Sequence, residues 1–261
     1  MQNAPAEIAI PDFLTRLSPV SASTLLLDYD GTLAPFQTDR HHAYPYPGIL
    51  TILDRILQRG KTRVVIISGR PVNEIQALIH PLSSPEIWGA HGQEHLLADG
   101  TYRLAIVSSE IVESLKQAEA RLNAAGLSSA IEIKPGGIAT HWRGLSPAEM
   151  ERIQLLAQKE LEPFAQRPGF KLLCFDGGLE LRAAHPDKGD AVSAILKESA
   201  SDTPIAFLGD DITDEDAFRT LNGHGLSILV RDEYRKTEAQ AWLRPPHELL
   251  GFLEAWLNRI T

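Results

Sequence analysis

The sequence of 261 residues contains a single cysteine, Cys174. One cysteine cannot form an intrachain disulfide, so a reducing compartment is the default expectation. Cys174 lies in the apolar run 170–175, where we expect it to be buried and unreactive. No apolar stretch reaches the ~18–20 residues that a membrane span requires. Residues 1–11 also lack the basic region and apolar core of a secretion signal. These absences predict a cytoplasmic protein with no membrane partner.

Positive charge is also scarce, since 25 lysines and arginines stand against 34 aspartates and glutamates, a net charge of −9. Binding to nucleic acid or to an anionic membrane needs a basic surface, so neither is an expected partner. The sequence contains neither G-x-x-x-x-G-K-[ST] nor G-x-G-x-x-G, so a magnesium-dependent nucleotide-binding module is not supported. An anionic ligand would therefore need local basic residues or a metal ion.

Three short apolar runs each end abruptly in polar residues. They lead into D-Y-D-G-T at 28–32, S-G-R at 68–70 and G-D-D at 209–211. Apolar runs of this length that alternate with helical stretches are typical of buried strands in a parallel sheet. Ligands bind beyond the carboxyl ends of such strands. The three groups of polar residues are therefore predicted to form one site.

The middle of the chain, about 104–178, departs from this rhythm. Its predicted elements are helices at about 109–124 and from Ser146, where a capping box begins, and strands at 131–134, 138–143, 170–175 and 178–182. Helices on one face of an antiparallel sheet form an α+β unit. We therefore predict an α/β core of residues 1–103 and 179–261 that is interrupted by an inserted α+β domain at 104–178.

The acidic residues at the strand ends suggest chemistry. Residues two apart in an extended segment face the same side, so Asp28 and Asp30 can face one ligand. Paired carboxylates suit acid–base chemistry, covalent chemistry or metal binding. Asp210, Asp211 and Asp214 form a second acidic group, although Asp214 could equally serve a helix start through the helix dipole. Carboxylates favour a hard cation such as Mg²⁺, and zinc is disfavoured because thiolates and paired histidines are lacking.

A phosphate ligand would also need hydrogen-bond donors. Lys188 opens a predicted helix and is the best candidate, because its ammonium and the helix N-terminus could both face an anion. Ser68 supplies a further donor. Alone, Lys188 would be interpreted as a solvated lysine, but its occurrence in order with the other motifs favours a site.

These motifs resemble the four motifs of the haloacid dehalogenase superfamily of phosphatases. The longer strings L-L-L-D-Y-D-G-T-L-A-P (25–35), G-A-H-G-x-E (89–94), D-K-G (187–189) and G-D-D-I-T-D-E-D-A-F (209–218) resemble the trehalose-6-phosphate phosphatase family. The resemblance extends from residue 25 to about 253. Arg40 and Ala183 depart from it, because the family often has proline at both positions.

The resemblance implies a haloacid-dehalogenase-like core with a cap, and the hydrolysis of trehalose 6-phosphate to trehalose and phosphate as the last step of trehalose biosynthesis. It makes Asp28 the nucleophile that forms an aspartyl-phosphate and Asp30 the acid and base, with Ser68 and Lys188 as donors to the phosphoryl group. Mg²⁺ would be bound by Asp28, the main-chain carbonyl of Asp30 and Asp210, with Asp211 and Asp214 behind them. The expected substrate contacts are Arg70 and, on the cap, Glu132, Lys134, His141, Arg143 and Glu180.

Several alternatives stay open. The charged cap residues could be the solvated side of a strand, and His91 could either line the site or support the sheet edge. Another capped phosphatase, acting on sucrose phosphate, mannosyl-phosphoglycerate or glucosylglycerol phosphate, would have the same core motifs. A non-catalytic sugar-phosphate sensor is a further reading. We expect a monomer whose sugar-phosphate substrate pairs it functionally with a trehalose-6-phosphate synthase.

Overall fold

The computed structural model describes residues 9–18, 22–80, 82–83, 85–175 and 177–260. Residues 1–8, which carry most of the secretion-signal argument, lie outside this part. The chain divides into two compact units, a core unit (Met1–Arg103 with Asp187–Thr261) and an inserted unit (Leu104–Pro186). Within the described ranges, no helix is long and apolar enough to span a membrane.

The core unit is built from two parts of the chain. The first part carries α1 (Ala9–Thr15), β1 (Ser23–Leu27), α2 (Ile49–Gln58), β2 (Thr62–Ile67), α3 (Val72–Ile79), β3 (Glu86–Gly89), β4 (Glu94–Leu96) and β5 (Tyr102–Leu104). The inserted unit follows with α4 (Ser109–Ala124), β6 (Ile131–Lys134), β7 (Gly137–His141), α5 (Pro147–Ala165), β8 (Phe170–Phe175) and β9 (Gly178–Ala183). The second part of the core carries α6 (Lys188–Glu198), β10 (Ile205–Gly209), α7 (Glu215–Leu221), β11 (Leu226–Val230), β12 (Ala241–Leu243) and α8 (His247–Arg259).

Among the described residues, the eight core strands form one sheet in the order β12-β11-β10-β1-β2-β3-β4-β5. The pairings from β12 to β3 are parallel, and β4 runs antiparallel to β3. β1 lies at the centre, and all five of its residues are buried. Leu25 and Leu27 belong to the apolar cluster on the side of α2 and α8, whereas Leu26 belongs to that on the side of α6 and α7. This alternation follows from the two-residue period of a strand and explains why the run is apolar throughout.

The inserted unit has a four-stranded antiparallel sheet in the order β6-β7-β9-β8. One sheet face packs on α4 and α5 through residues such as Ile138, Leu179 and Leu181. Ser146 caps α5, since its hydroxyl accepts from the N–H of Glu149. The unit ends at Pro186 rather than at 178, because β9 is hydrogen-bonded to both β7 and β8 and therefore belongs to this sheet.

Cys174 is exposed, so the prediction that it is buried was wrong. Cys174 is the penultimate residue of β8, which is an edge strand of the four-stranded sheet. An edge strand has a neighbour on one side only, so an apolar run does not guarantee burial at its end.

Candidate active site

The turn after β1 brings the first and last motifs into contact. Gly31 has a φ of +82°, a left-handed conformation that glycine adopts without strain. Its N–H donates to the carbonyl of Ala34 at 2.8 Å. A Cβ on Gly31 would lie 2.1 Å from Oδ2 of Asp210. The absence of a side chain at Gly31 is therefore what lets the carboxylate of Asp210 approach the D-Y-D-G-T turn.

Lys188 lies between two carboxylates. Its Nζ donates to Oδ1 of Asp28 at 2.6 Å and to Oδ1 of Asp214 at 2.7 Å, and all three side chains are buried. The backbone position of Lys188 is set by a capping box at the start of α6, formed by Asp187 and Asp190. Burial alone would lower the pKa of Lys188, but Asp214 and Asp28 outweigh it, so the pKa is raised and the ammonium stays charged.

Thr32 completes the environment of the Asp28 carboxylate. Its hydroxyl donates to Oδ2 of Asp28 at 3.1 Å, while Lys188 occupies Oδ1. Both oxygens of Asp28 are thus held by donors from different parts of the chain. The sequence analysis assigns no role to Thr32, although Thr32 belongs to the D-Y-D-G-T motif that could have indicated one.

Asp214 organises the loop after β10. Its Oδ2 accepts from the backbone N–H groups of Asp210 and Asp211, each at 3.0 Å, and its Oδ1 accepts from Lys188. The carboxylate is fully buried. Both of its oxygens therefore accept hydrogen bonds from protein donors. These bonds hold the backbone at Asp210 and Asp211 in place.

Carboxylate oxygens of Asp28, Asp210 and Asp214 lie within 4.8 Å of one another. Burial, opposed by Lys188 and reinforced by Asp214, raises the pKa of Asp28 to about 7. Burial, then the charges of Asp28 and Asp214, raises the pKa of Asp210 well above its usual value. Lys188 pairs with Asp28 and Asp214, and Nη1 of the exposed Arg231 lies 4.0 Å from Oδ2 of Asp210. A hard divalent cation fits this set of three buried carboxylates and would relieve their repulsion. Asp214 accepts three hydrogen bonds from protein donors and Asp28 accepts two.

The S-G-R turn after β2 packs against the G-A-H-G turn after β3. The N–H of His91 donates to the carbonyl of Ser68 at 2.9 Å, and the N–H of Ala90 donates to that of Arg70 at 2.8 Å. Ala90 and His91 both have positive φ, +46° and +57°. A Cβ on Gly69 would lie 2.6 Å from the His91 ring. His91 is therefore buried against the S-G-R turn and supports its shape.

Arg70 pairs with Asp30. Its Nε and Nη2 donate to the two oxygens of Asp30 at 2.6 and 2.7 Å. Its Nη1 donates to the Arg40 carbonyl at 2.8 Å and reaches Oε2 of Glu74 at 3.4 Å. The sequence analysis does not single out Glu74, which lies in the first turn of α3, four residues after Arg70.

Four of the predicted cap residues form a charged cluster on the sheet face opposite α4 and α5. Lys134 Nζ lies 3.2 Å from Oε1 of Glu180 and 3.9 Å from Oε2 of Glu132, which in turn lies 2.7 Å from Nε2 of His141. The register pairs Ala139 with Glu132 on one side and with Glu180 on the other, which puts these side chains on one face.

The side chains of Lys134 and Glu180 are 9% and 5% exposed, so the solvated-strand alternative does not describe them. Arg143 follows β7 and packs beside Gly177.

Comparisons with known proteins agree with this architecture. The family model of trehalose-phosphatase matches residues 26–244. The trehalose-phosphate phosphatase of Mycobacterium ulcerans is 31% identical over 261 residues, which cover 93% of this chain and 62% of the relative. The chain thus spans about three fifths of the length of that relative.

Two solved structures share the fold. The C-terminal domain of Candida albicans trehalose-6-phosphate phosphatase superposes with a TM-score of 0.85 at 21% identity, covering 98% of both chains. A haloacid dehalogenase-like hydrolase from Bacteroides thetaiotaomicron gives a TM-score of 0.63 at 15% identity, covering 89% of this chain and 98% of the other. The predicted fold class, a haloacid-dehalogenase-like α/β core with an inserted α+β unit, is confirmed. The chain belongs to the trehalose-phosphatase family.

Proposed function

We propose that this protein is a magnesium-dependent phosphatase that hydrolyses trehalose 6-phosphate to trehalose and phosphate, the last step of trehalose biosynthesis. The observation that carries the proposal is the buried Asp28 carboxylate, held by Lys188 and Thr32 beside Asp210. A structural carboxylate would not need two acidic neighbours in a buried site, because their mutual repulsion is costly. Family membership supports the choice of phosphate monoesters as substrates.

In the proposed reaction, an oxygen of Asp28 forms a bond to phosphorus, and the bond from phosphorus to the sugar oxygen breaks. The electron pair goes to the sugar oxygen, which takes a proton from Asp30. Water then attacks the aspartyl-phosphate, gives a proton to Asp30 and releases phosphate, which restores Asp28. Lys188 and Ser68 donate to phosphoryl oxygens as charge develops on them.

Magnesium is part of the proposal. The side chains of Asp28 and Asp210 would bind the ion together with the main-chain carbonyl of Asp30, with Asp211 and Asp214 behind them. When bound, the ion supplies positive charge that offsets the phosphate charge. The cluster of the Asp28, Asp210 and Asp214 carboxylates supports this part of the proposal, and Thr32 helps to orient the carboxylate of Asp28.

The proposed sugar-binding groups are those of the inserted unit. Glu132, Glu180 and His141 can accept hydrogen bonds from sugar hydroxyls, and Lys134 can donate to them. Arg143 is included as a further donor. The core motifs serve any phosphate monoester, so these residues carry the discrimination between trehalose 6-phosphate and the alternatives, sucrose phosphate, mannosyl-phosphoglycerate and glucosylglycerol phosphate.

The deciding experiment measures magnesium-dependent phosphate release from trehalose 6-phosphate, with the alternative esters, glucose 6-phosphate and p-nitrophenyl phosphate beside it. Asp28→Asn serves as the blank, and Asp202→Asn, at an exposed turn, is the matched control. Preference for the trehalose ester that is lost only in Asp28→Asn supports the proposal. Preference for another ester would leave the proposed mechanism in place but would refute trehalose 6-phosphate as the substrate. No release from any ester by folded protein with Mg²⁺ refutes the enzyme.

Two further measurements test the remaining parts of the proposal. Mg²⁺ should raise the melting temperature of the wild type and not that of Asp210→Asn, because a ligand stabilises only the state that binds it. Calorimetric binding of trehalose 6-phosphate without turnover would favour the non-catalytic sensor instead. We further propose a cytoplasmic monomer that receives its substrate from a trehalose-6-phosphate synthase, and sedimentation of the pure protein tests the monomer.

A further inference from the structure

The geometry points to Arg70 as a positioning residue for Asp30, and not as a contact of the substrate. This inference rests on the proposed function, in which Asp30 exchanges protons with the leaving group and with water. It replaces the expectation that Arg70 binds the substrate directly. Its basis is the set of groups that already surround the guanidinium.

Most of the hydrogen-bond donors of the Arg70 guanidinium already have partners within the protein. A guanidinium has five N–H donors, and four hydrogen bonds leave this one: two to the Asp30 carboxylate, one to the Arg40 carbonyl and one to Glu74. Arg70 as a whole is 6% exposed. A phosphate would have to break the bidentate pair with Asp30 in order to gain an equivalent one, so direct binding brings little net benefit.

Further contacts, with Tyr29 and through Glu74, hold the side chain of Arg70 in place. Its guanidinium carbon lies 5.7 Å from the centre of the Tyr29 ring, a cation–π distance, and the Tyr29 hydroxyl donates to the carbonyl of Ala43 at 2.8 Å. Glu74, on α3, lies 2.6 Å from Nη2 of Arg40. Negative and positive side chains therefore alternate in the row Asp30, Arg70, Glu74, Arg40. The guanidinium of Arg70 is held between the two carboxylates of this row.

The consequence falls on Asp30. Its side chain is 29% exposed, whereas that of Arg70 is 7% exposed, so the carboxylate is the member of the pair that a ligand can reach and the guanidinium is the buried one. Two parallel N–H···O bonds set both the position and the plane of a carboxylate, which one ammonium cannot do. A proton donor and acceptor must lie within hydrogen-bond reach of its target, so loss of this alignment lowers the rate of proton transfer.

The test compares Arg70→Lys with the wild type on two esters. The sugar of trehalose 6-phosphate needs a proton to leave, whereas p-nitrophenolate is a weak base and leaves without one. We expect kcat for trehalose 6-phosphate to fall about 100-fold, the lower range for loss of general acid catalysis. The KM should change less than threefold. Single-turnover release of p-nitrophenol, which measures the first step alone, should stay within threefold of the wild type.

The matched control is Arg63→Lys. Arg63 also makes a bidentate pair, with Glu86, and it lies at the other end of β2. Arg63→Lys should leave kcat and KM for trehalose 6-phosphate, and the single-turnover release of p-nitrophenol, unchanged. Asp30→Asn should reduce the rate of the first step with the sugar ester by a smaller factor in Arg70→Lys than in the wild type, because Arg70 is proposed to act through Asp30.

A rise of tenfold or more in KM for both esters, with kcat retained, would overturn the inference and make Arg70 a substrate contact. Equal losses of single-turnover rate on both esters would also overturn it. If Arg70→Lys does not fold, Glu74→Gln tests the same row from its far side and should reduce kcat for the sugar ester selectively. Failure of the proposed function looks different, since the wild type itself would then release no phosphate.

Discussion

The ammonium of Lys188 lies 2.6 Å from Oδ1 of Asp28, and 160 positions of sequence separate the two residues. Both side chains are buried. A buried ion pair of this kind is not in itself a source of stability, because desolvation offsets the attraction. Its value here is geometric: the cation holds the carboxylate that we propose as the nucleophile in one orientation, ready to attack.

Replacing Lys188 by methionine should abolish activity and destabilise the fold. The change removes the cation that is bonded to the buried carboxylates of Asp28 and Asp214, and breaking a buried pair costs about 3–5 kcal/mol. Phosphate release measures the loss of activity, and urea unfolding in the absence of metal measures the loss of stability. Lys197→Met is the control, because Lys197 is an exposed residue of the same helix. A folded Lys188→Met protein with near-normal turnover would contradict the assignment.

Gly31→Ala should be more damaging than Gly60→Ala. Both glycines have positive φ, and a non-glycine residue there costs roughly 1–2 kcal/mol. Only at Gly31 does the new Cβ also collide with Asp210; at Gly60 it meets nothing within 4 Å. The collision should add about 1–3 kcal/mol to the loss of unfolding free energy.

Activity should separate the same two variants. Gly31→Ala displaces a proposed metal ligand, so phosphate release should fall at least tenfold and Mg²⁺ should stabilise this variant less than the wild type. Gly60→Ala should keep wild-type turnover. Equal unfolding free energies for the two variants would show that the loop relaxes and that the approach of Asp210 does not depend on Gly31.

Gly69→Ala and His91→Ala should be strongly coupled. The alanine methyl at 69 would lie 2.6 Å from the His91 ring, so the single substitution at Gly69 should cost about 1–3 kcal/mol. Removing the ring should relieve the collision, so the double variant should be more stable than the sum of the single changes predicts. A double-mutant cycle in urea should give a coupling of at least about 0.5 kcal/mol. Additive losses would remove His91 as the reason for glycine at this turn.

Glu86→Gln should lower the free energy of unfolding more at neutral pH than at acid pH. Burial alone would raise the pKa of Glu86, but hydrogen bonds from His95, Arg63 and Trp88 outweigh it and lower the pKa to about 2. A carboxyl whose folded pKa is depressed stabilises above its unfolded pKa of about 4.5, and the benefit is lost as the pH falls toward 2.

Urea unfolding of the wild type and Glu86→Gln at several pH values tests this stability difference. The difference in unfolding free energy should be largest near pH 7, on the order of 3 kcal/mol, and should shrink below about pH 4.5. Glu238→Gln, at an exposed position, should show no such dependence. A difference that stays constant from pH 7 to pH 3 would indicate packing, and not charge, as the role of Glu86.

The amino-acid sequence by itself determined the strands and the grouping of polar residues at their ends. Apolar runs such as 25–27 encode burial on both faces, which is a local property that any parallel sheet requires. The serine, proline and glutamate at 146–149 encode a helix start in the same local way. The order of the motifs carried the family resemblance, since it depends on residue identity and spacing alone.

Only the tertiary structure decided which side chains meet. Arg70 pairs with Asp30 across 40 positions, and β9 joins the inserted sheet because of its partners rather than its composition. Exposure of Cys174 likewise depends on its strand being an edge. These outcomes follow from packing between segments that are distant in the chain, where direction and burial of each side chain depend on neighbours that local periodicity does not specify.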